Sequence, residues 1–148
     1  MTSRLLMLLS IATGAVTADE SQMITALTAA NVDPAQARLN YMLNCQGCHA
    51  VDGRGLNDIP TMADFVGKFL AVDGGRAYLV RVPGSANAPL SDAELAEVLN
   101  WILITMSYAH LPEPFVPYTP SEVYTFRQQP LTDAAAKRQQ LLTLLENG

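Results

Sequence analysis

Cysteine is scarce in this chain of 148 residues: there are two, Cys45 and Cys48, with two histidines, His49 and His110, and one tryptophan, Trp101. A structural disulfide is a poor use of that pair. Only two residues separate the thiols, so a bridge would close a very small loop and restrict the unfolded chain little. A structural zinc site needs four ligands, and the only histidine away from the pair is His110. Cations are few as well: nine Lys and Arg against fourteen Asp and Glu give a formal charge of −5. That balance disfavours nucleic acid and anionic lipid as partners. Alternating apolar and polar runs of convincing length are missing, which excludes a sheet protein, and no internal repeat or low-complexity tract is present. No nucleophile stands beside a base, and no carboxylate pair stands out. Gly53 and Gly55 lack the strand and helix context of a phosphate-binding loop.

Residues with an apolar side chain make up 49% of the sequence, enough for one compact domain with a real core. Part of that content lies in residues 1–18, where Arg4 precedes the run LLMLLSIATGAV and small side chains follow at Val16 and Ala18. This is the pattern of a signal peptide cut near Ala18. The run is shorter than the roughly 20 residues that a membrane-spanning helix requires. The expected mature chain therefore starts at Asp19, has no membrane span and is exported to the periplasm. Loss of Arg4 takes its charge to −6.

The rest of the chain predicts an all-α protein with long loops. Residues 19–32 read as a tail or a short first helix. In VDPAQARLNYMLNC, Asp33 can cap, Pro34 suits the first helical position and Gln36 sits where a capping box places its partner, so a helix is predicted over 34–44. Val51–Thr61 reads as a loop, followed by short pieces interrupted at Gly67 and stopped at Pro83 and Gly84. Ser91 and Glu94 open the clearest helix, whose buried face runs Leu95, Val98, Leu99, Ile102, Leu103, Met106. Pro112, Pro114, Pro117 and Pro120 then favour an extended wrap. A further turn is expected at Thr119–Glu122 and a last helix over 132–146. The resulting division is a leader (1–18), a domain (19–110) and a proline-rich extension with a C-terminal helix (111–148).

Cys45, Cys48 and His49 together spell C-x-x-C-H. A thiol–disulfide oxidoreductase would place its cysteines at a helix start after a strand, whereas here the pair follows a helix. Covalent haem attachment is the reading that uses all three residues: two thiols add to the two vinyl groups of the porphyrin, and the next residue offers its imidazole to the iron. Export suits it, since a covalent tether prevents loss of the cofactor.

Over residues 34–106 the chain resembles the class I c-type cytochromes. These have an N-terminal helix leading into C-x-x-C-H, short middle helices and a C-terminal helix that crosses the first. Ala37, Tyr41 and Trp101 stand at positions that fit the packing of those two helices, and Pro60 resembles the proline whose carbonyl orients the ligating histidine. The resemblance implies one covalent haem c and a soluble electron carrier rather than an enzyme. Its donor would be a periplasmic dehydrogenase and its acceptor an oxidase or another cytochrome. The departure lies on the other side of the iron. The family's methionine comes from the loop before the last helix, but here that loop is RVPGSANAPLSD, with Asn87 near the expected place. The distal ligand stays open among Asn87, His110, Met62 and Met106. Arg54, Arg76, Arg81 and Tyr78 are candidates for the haem propionates, beside their ordinary roles in ion pairs or the core. Two other functions follow from the open loop and from the extension: a haem module that binds a small ligand, or the haem subunit of a dehydrogenase complex.

Overall fold

The computed structural model describes residues 17–148, so the expected leader lies outside the described residues except for Thr17 and Ala18. Every regular element among the described residues is helical. In order they are α1 (Ala18–Ala29), α2 (Pro34–Asn44), α3 (Gln46–His49), a 3-10 helix (Val66–Ala71), α4 (Gly75–Arg81), α5 (Pro83–Ala86), α6 (Asp92–Met106), a 3-10 turn (Tyr108–His110), α7 (Pro120–Arg127) and α8 (Ala134–Asn147). The all-α expectation holds. No helix of the described residues is long and apolar enough to cross a membrane.

Local chemistry sets most helix starts. Asp33 accepts from the amides of Ala35 and Gln36, and Pro34 occupies the first turn, where a missing N–H is harmless. Gln36 does not complete a capping box, because its amide bonds Asn40 Oδ1 instead. The Asp33 N–H is taken by Glu97 of α6, at 2.9 Å. At the start of α6 the reciprocal box is complete: Ser91 accepts from the Glu94 amide, and the Glu94 carboxylate accepts from Ser91 N–H. Asp133 caps α8, accepting from the Ala136 amide.

α6 is the central element. Leu95, Val98, Leu99, Ile102 and Leu103 are buried as its periodicity predicts, while Met106 is half-buried at its end. On one side α6 packs against α2, where Ala37 is fully buried and the Tyr41 and Trp101 rings lie 5.3 Å apart. On the other side it receives α7, so the extension covers the core. Gly75 marks the tightest approach, since a Cβ there would lie 1.7 Å from the Phe69 carbonyl oxygen.

The proline-rich segment is extended, as predicted, and is fastened over Val116, Pro117 and Tyr118. Tyr118 N–H donates to Asn100 Oδ1 at 2.7 Å, and Asn100 Nδ2 donates to Tyr118 O at 3.0 Å. Both residues are buried. The Tyr118 hydroxyl donates to the carbonyl of Arg76, whose guanidinium lies 4.3 Å from the Tyr118 ring centre. Arg76 also forks onto Glu122, at 2.8 and 2.7 Å, and donates to the carbonyls of Val116 and Pro117. Arg81 bonds the carbonyl of Gln129 and accepts from Leu131 N–H. These two arginines hold the extension to α4.

Candidate functional site

Cys45, Cys48 and His49 are brought together by a single helical turn. α2 ends at Asn44; Cys45 N–H still bonds Tyr41 O at 2.8 Å, and the Cys45 carbonyl accepts from both Cys48 and His49 N–H. The spacing of three therefore places both thiols on one side of α3, with the imidazole beside them. Neither cysteine forms a disulfide. Cys45 is half-buried against the main core, and burial, with Cys48 nearby, pushes its thiol up to about 11; Cys48 is exposed.

The loop after the motif is folded back onto it. Gly55 N–H bonds His49 O and Leu56 N–H bonds Cys48 O, at 3.2 and 3.0 Å. Ala50 turns the chain with φ of 58°, a conformation unusual for a residue with a side chain. The Tyr41 hydroxyl fixes that turn by donating to the Ala50 carbonyl. Sequence reasoning gave Tyr41 only a packing role; its place one helical turn before Cys45 was the available signal. Gly55 has φ of 78°, and a Cβ there would stand 2.1 Å from the Ile59 carbonyl oxygen, so this turn admits glycine alone.

His49 Nδ1 is buried and makes no hydrogen bond of good geometry. The Pro60 carbonyl nevertheless acts on the ring: burial lowers the imidazole pKa, and this acceptor partly offsets the fall. Around the motif, Leu43, Val51, Leu56 and Ile59 leave their apolar side chains exposed. Two thiols, an adjacent imidazole and an uncovered apolar rim fit a covalently bound haem. They do not fit a protein-only metal site, and no group of three or more metal-ligating side chains occurs among the described residues.

The other candidates fall in three places. Met62 and Met106 both meet the loop after His49 at Gly53: Met62 N–H bonds Gly53 O at 2.6 Å, and the sulfur of Met106, at the end of α6, lies 2.6 Å from where a Cβ on Gly53 would stand. His110 closes the short turn after α6, with its carbonyl packed against Gly67. Asn87 is exposed in the loop before α6, and its side-chain amide donates to Pro83 O at 2.9 Å. Among the propionate candidates, Arg54 pairs with Asp52, Arg76 and Arg81 hold the extension, and Tyr78 is buried against Phe69.

No family model matches the chain. Cytochrome c-552 from Thermus thermophilus is 35% identical to it over 107 residues, an alignment covering 60% of this chain and 82% of that protein. A second cytochrome c-552 of the same species is also 35% identical over 107 residues, covering 72% of its length. The chain belongs to the c-type cytochromes. Membership implies haem c for this cytochrome.

Two phenols give the cytochrome an alkaline limit. Burial pushes Tyr41 up to about 12 and raises Tyr118 further still. Between the ordinary tyrosine value and these raised ones, the folded protein holds protons that the unfolded chain has released. Stability is therefore complete below about pH 10 and falls as pH rises above it. A series of urea unfolding curves should show the midpoint dropping from pH 10 to pH 12; a constant midpoint would contradict the burial of these hydroxyls.

Proposed function

We propose that this cytochrome is an exported carrier of single electrons. It holds one haem through thioethers at Cys45 and Cys48 and places His49 on the iron. The observation that carries this reading is the single turn that presents both thiols and the imidazole on a loop with an open apolar rim. When bound, the haem supplies an iron that changes by one electron between its ferrous and ferric states. The chain's own residues hold and orient it. Cys45 and Cys48 anchor one edge, and Tyr41 keeps the motif and its loop in register through Ala50. The Pro60 carbonyl, the acceptor beside the buried ring, would leave the other imidazole nitrogen for the metal.

In this reading the electron enters from a periplasmic dehydrogenase and leaves to an oxidase or a second cytochrome. The acidic surface favours partners with basic docking faces, and association should slow as salt rises. The deciding measurement is the intact mass of protein matured in an exporting host, paired with extraction in acidified acetone. The mass should exceed the polypeptide by one haem and the colour should stay with the protein. Bare polypeptide mass, or colour that extracts fully, would defeat the assignment.

One observation favours a second reading, a module that binds a small exogenous ligand. Met62 and Met106 are packed beside Gly53 in the loop that follows His49, and Asn87 is turned back to Pro83, so three of the four candidates for the distal position are engaged elsewhere and an exogenous ligand would take that position where His110 does not. Rapid carbon monoxide binding to the ferrous protein without denaturant would favour this module, and a spectrum of methionine or histidine ligation would favour the carrier.

A further inference from the structure

Lys68 and Arg138 bring two unpaired charges to one aromatic ring. Of the other cations among the described residues, Arg54, Arg76 and Arg127 pair with carboxylates, and Arg81 donates to the carbonyl of Gln129. Arg38 is exposed on α2, and Lys137 meets only Gln140 of its own helix. The side chains of Lys68 and Arg138 make neither an ion pair nor a hydrogen bond among the described residues. They converge instead on Phe65: Lys68 Nζ lies 5.2 Å and Arg138 Cζ 5.3 Å from its ring centre, and Arg138 is also 5.9 Å from the centre of Phe69. Cations laid on aromatic faces are held by the ring and keep their N–H groups for another partner.

Tyr78 of α4 completes the group. Its ring centre lies 5.1 Å from that of Phe69, and only 7% of the residue is exposed. A phenol so buried ordinarily finds a partner for its hydroxyl. The Tyr78 hydroxyl makes no hydrogen bond among the described residues, yet it is not one of their sealed polar atoms, so the little of Tyr78 that meets solvent includes this oxygen. The Arg138 charge reaches it: burial raises the phenol above its ordinary value, and Arg138 partly offsets the rise. Phenylalanine would fill the same core, so the fold itself gives this hydroxyl no task.

We propose that Lys68, Tyr78 and Arg138 form a binding site for a small carboxylate supplied from outside the chain: the Arg138 guanidinium takes its two oxygens as a fork, Lys68 adds a second charge, and the Tyr78 hydroxyl donates a hydrogen bond. Three elements, the 3-10 helix Val66–Ala71, α4 and α8, bring these donors together, and α8 packs against both of the others. The formal charge of −5 repels anions at long range, so the site suits a small ligand of low charge and not an acidic macromolecule, whose many charges would meet that field. Selectivity over chloride follows, since a point anion does not match a planar fork as a carboxylate does. The inference goes beyond the electron-carrier reading and uses none of Cys45, Cys48 and His49.

The test titrates sodium acetate, and in parallel sodium chloride, into the full-length haem protein and follows the Tyr78 ring and the Arg138 Nε–H by nuclear magnetic resonance. Acetate should give saturable shifts at millimolar concentration, and chloride should not. Arg138→Gln, read at the Tyr78 ring, should weaken acetate binding at least about tenfold, as loss of a charge-assisted fork does. Tyr78→Phe, read at Arg138, should weaken it about three- to tenfold, the range of one hydrogen bond. Its melting temperature should match the parent's, because the hydroxyl has no partner in the fold to lose. Lys137→Gln removes the same unit of charge at the preceding position of α8 and should stay within about twofold of the parent, as a screened surface charge does. Equal, unsaturable shifts with acetate and chloride, or a loss in Lys137→Gln as large as in Arg138→Gln, would overturn the proposal. So would a nuclear Overhauser contact between Arg138 and a haem propionate, which would assign the site to the chain's own cofactor. If Arg138→Gln does not fold, Tyr78→Phe decides: weakened acetate binding sustains the site, and undiminished binding ends it.

Discussion

The double variant Cys45→Ala/Cys48→Ala, matured beside the parent in the same exporting host, should carry no covalent haem. After acidified acetone the parent pellet should remain red and the variant pellet colourless. Each single variant should keep one thioether, and with it colour that resists extraction. The expected loss is complete because the chain offers no third thiol. The tether also works as an effective concentration, keeping the ring beside His49 even when the axial bond opens. Without it, only His49 and the apolar rim would hold the ring. A lower melting temperature should accompany the loss. Leu56 and Ile59 are exposed and the loop 50–61 rests on few bonds, so apolar surface that the haem would cover returns to water at roughly 25 cal/mol per Å². Equal haem content in the double variant and the parent would remove the chemical basis of the site.

How legible the site was depends on how local its determinants are. The ends of α2 and α6 could be read directly, because Asp33 with Pro34 and Ser91 with Glu94 act within their own first turns. The motif was equally plain, being five adjacent residues. Contacts between distant segments left no such trace. Glu97 takes the Asp33 amide across a sequence separation of 64, so Gln36, correctly placed for a capping box, bonds Asn40 instead. Arg76 and Arg81 looked like propionate partners because a lone arginine advertises only its charge; both are engaged by the extension. Arg127 drew no attention at all: three of its four acceptors are the backbone carbonyls of Ala86, Ala88 and Leu90, which no side-chain pattern reveals. Met62 and Met106 lie 44 positions apart in the chain, and their common place beside Gly53 follows only from the return of α6 to the loop.

A chain ended after His110 should fail to fold cooperatively, although its final residue lies beyond α6 and the whole haem motif is kept. Tyr118, Val123 and Leu141 of the extension are nearly or fully buried, and each such side chain is worth about 1.5–3 kcal/mol when fully removed from water. The sum approaches the 5–15 kcal/mol by which a typical domain is stable. Truncation also strips Asn100 of both partners inside the core, and a buried polar group left unpaired costs roughly 1–3 kcal/mol. Ordering the extension has its own entropic cost, which the shortened chain avoids, so a graded pair of variants isolates the packing. Leu141→Ala should lose about 2–5 kcal/mol in urea unfolding, as large-to-small changes in closed cores do. Leu144→Ala, at a position 47% exposed three residues on, should stay within about 0.5 kcal/mol of the parent. Broad, non-cooperative melting of the shortened chain with the Leu141 effect would make the extension part of the one folding unit. A sharp transition at the parent temperature, with Leu141→Ala silent, would make it an appendage of a domain that folds without it.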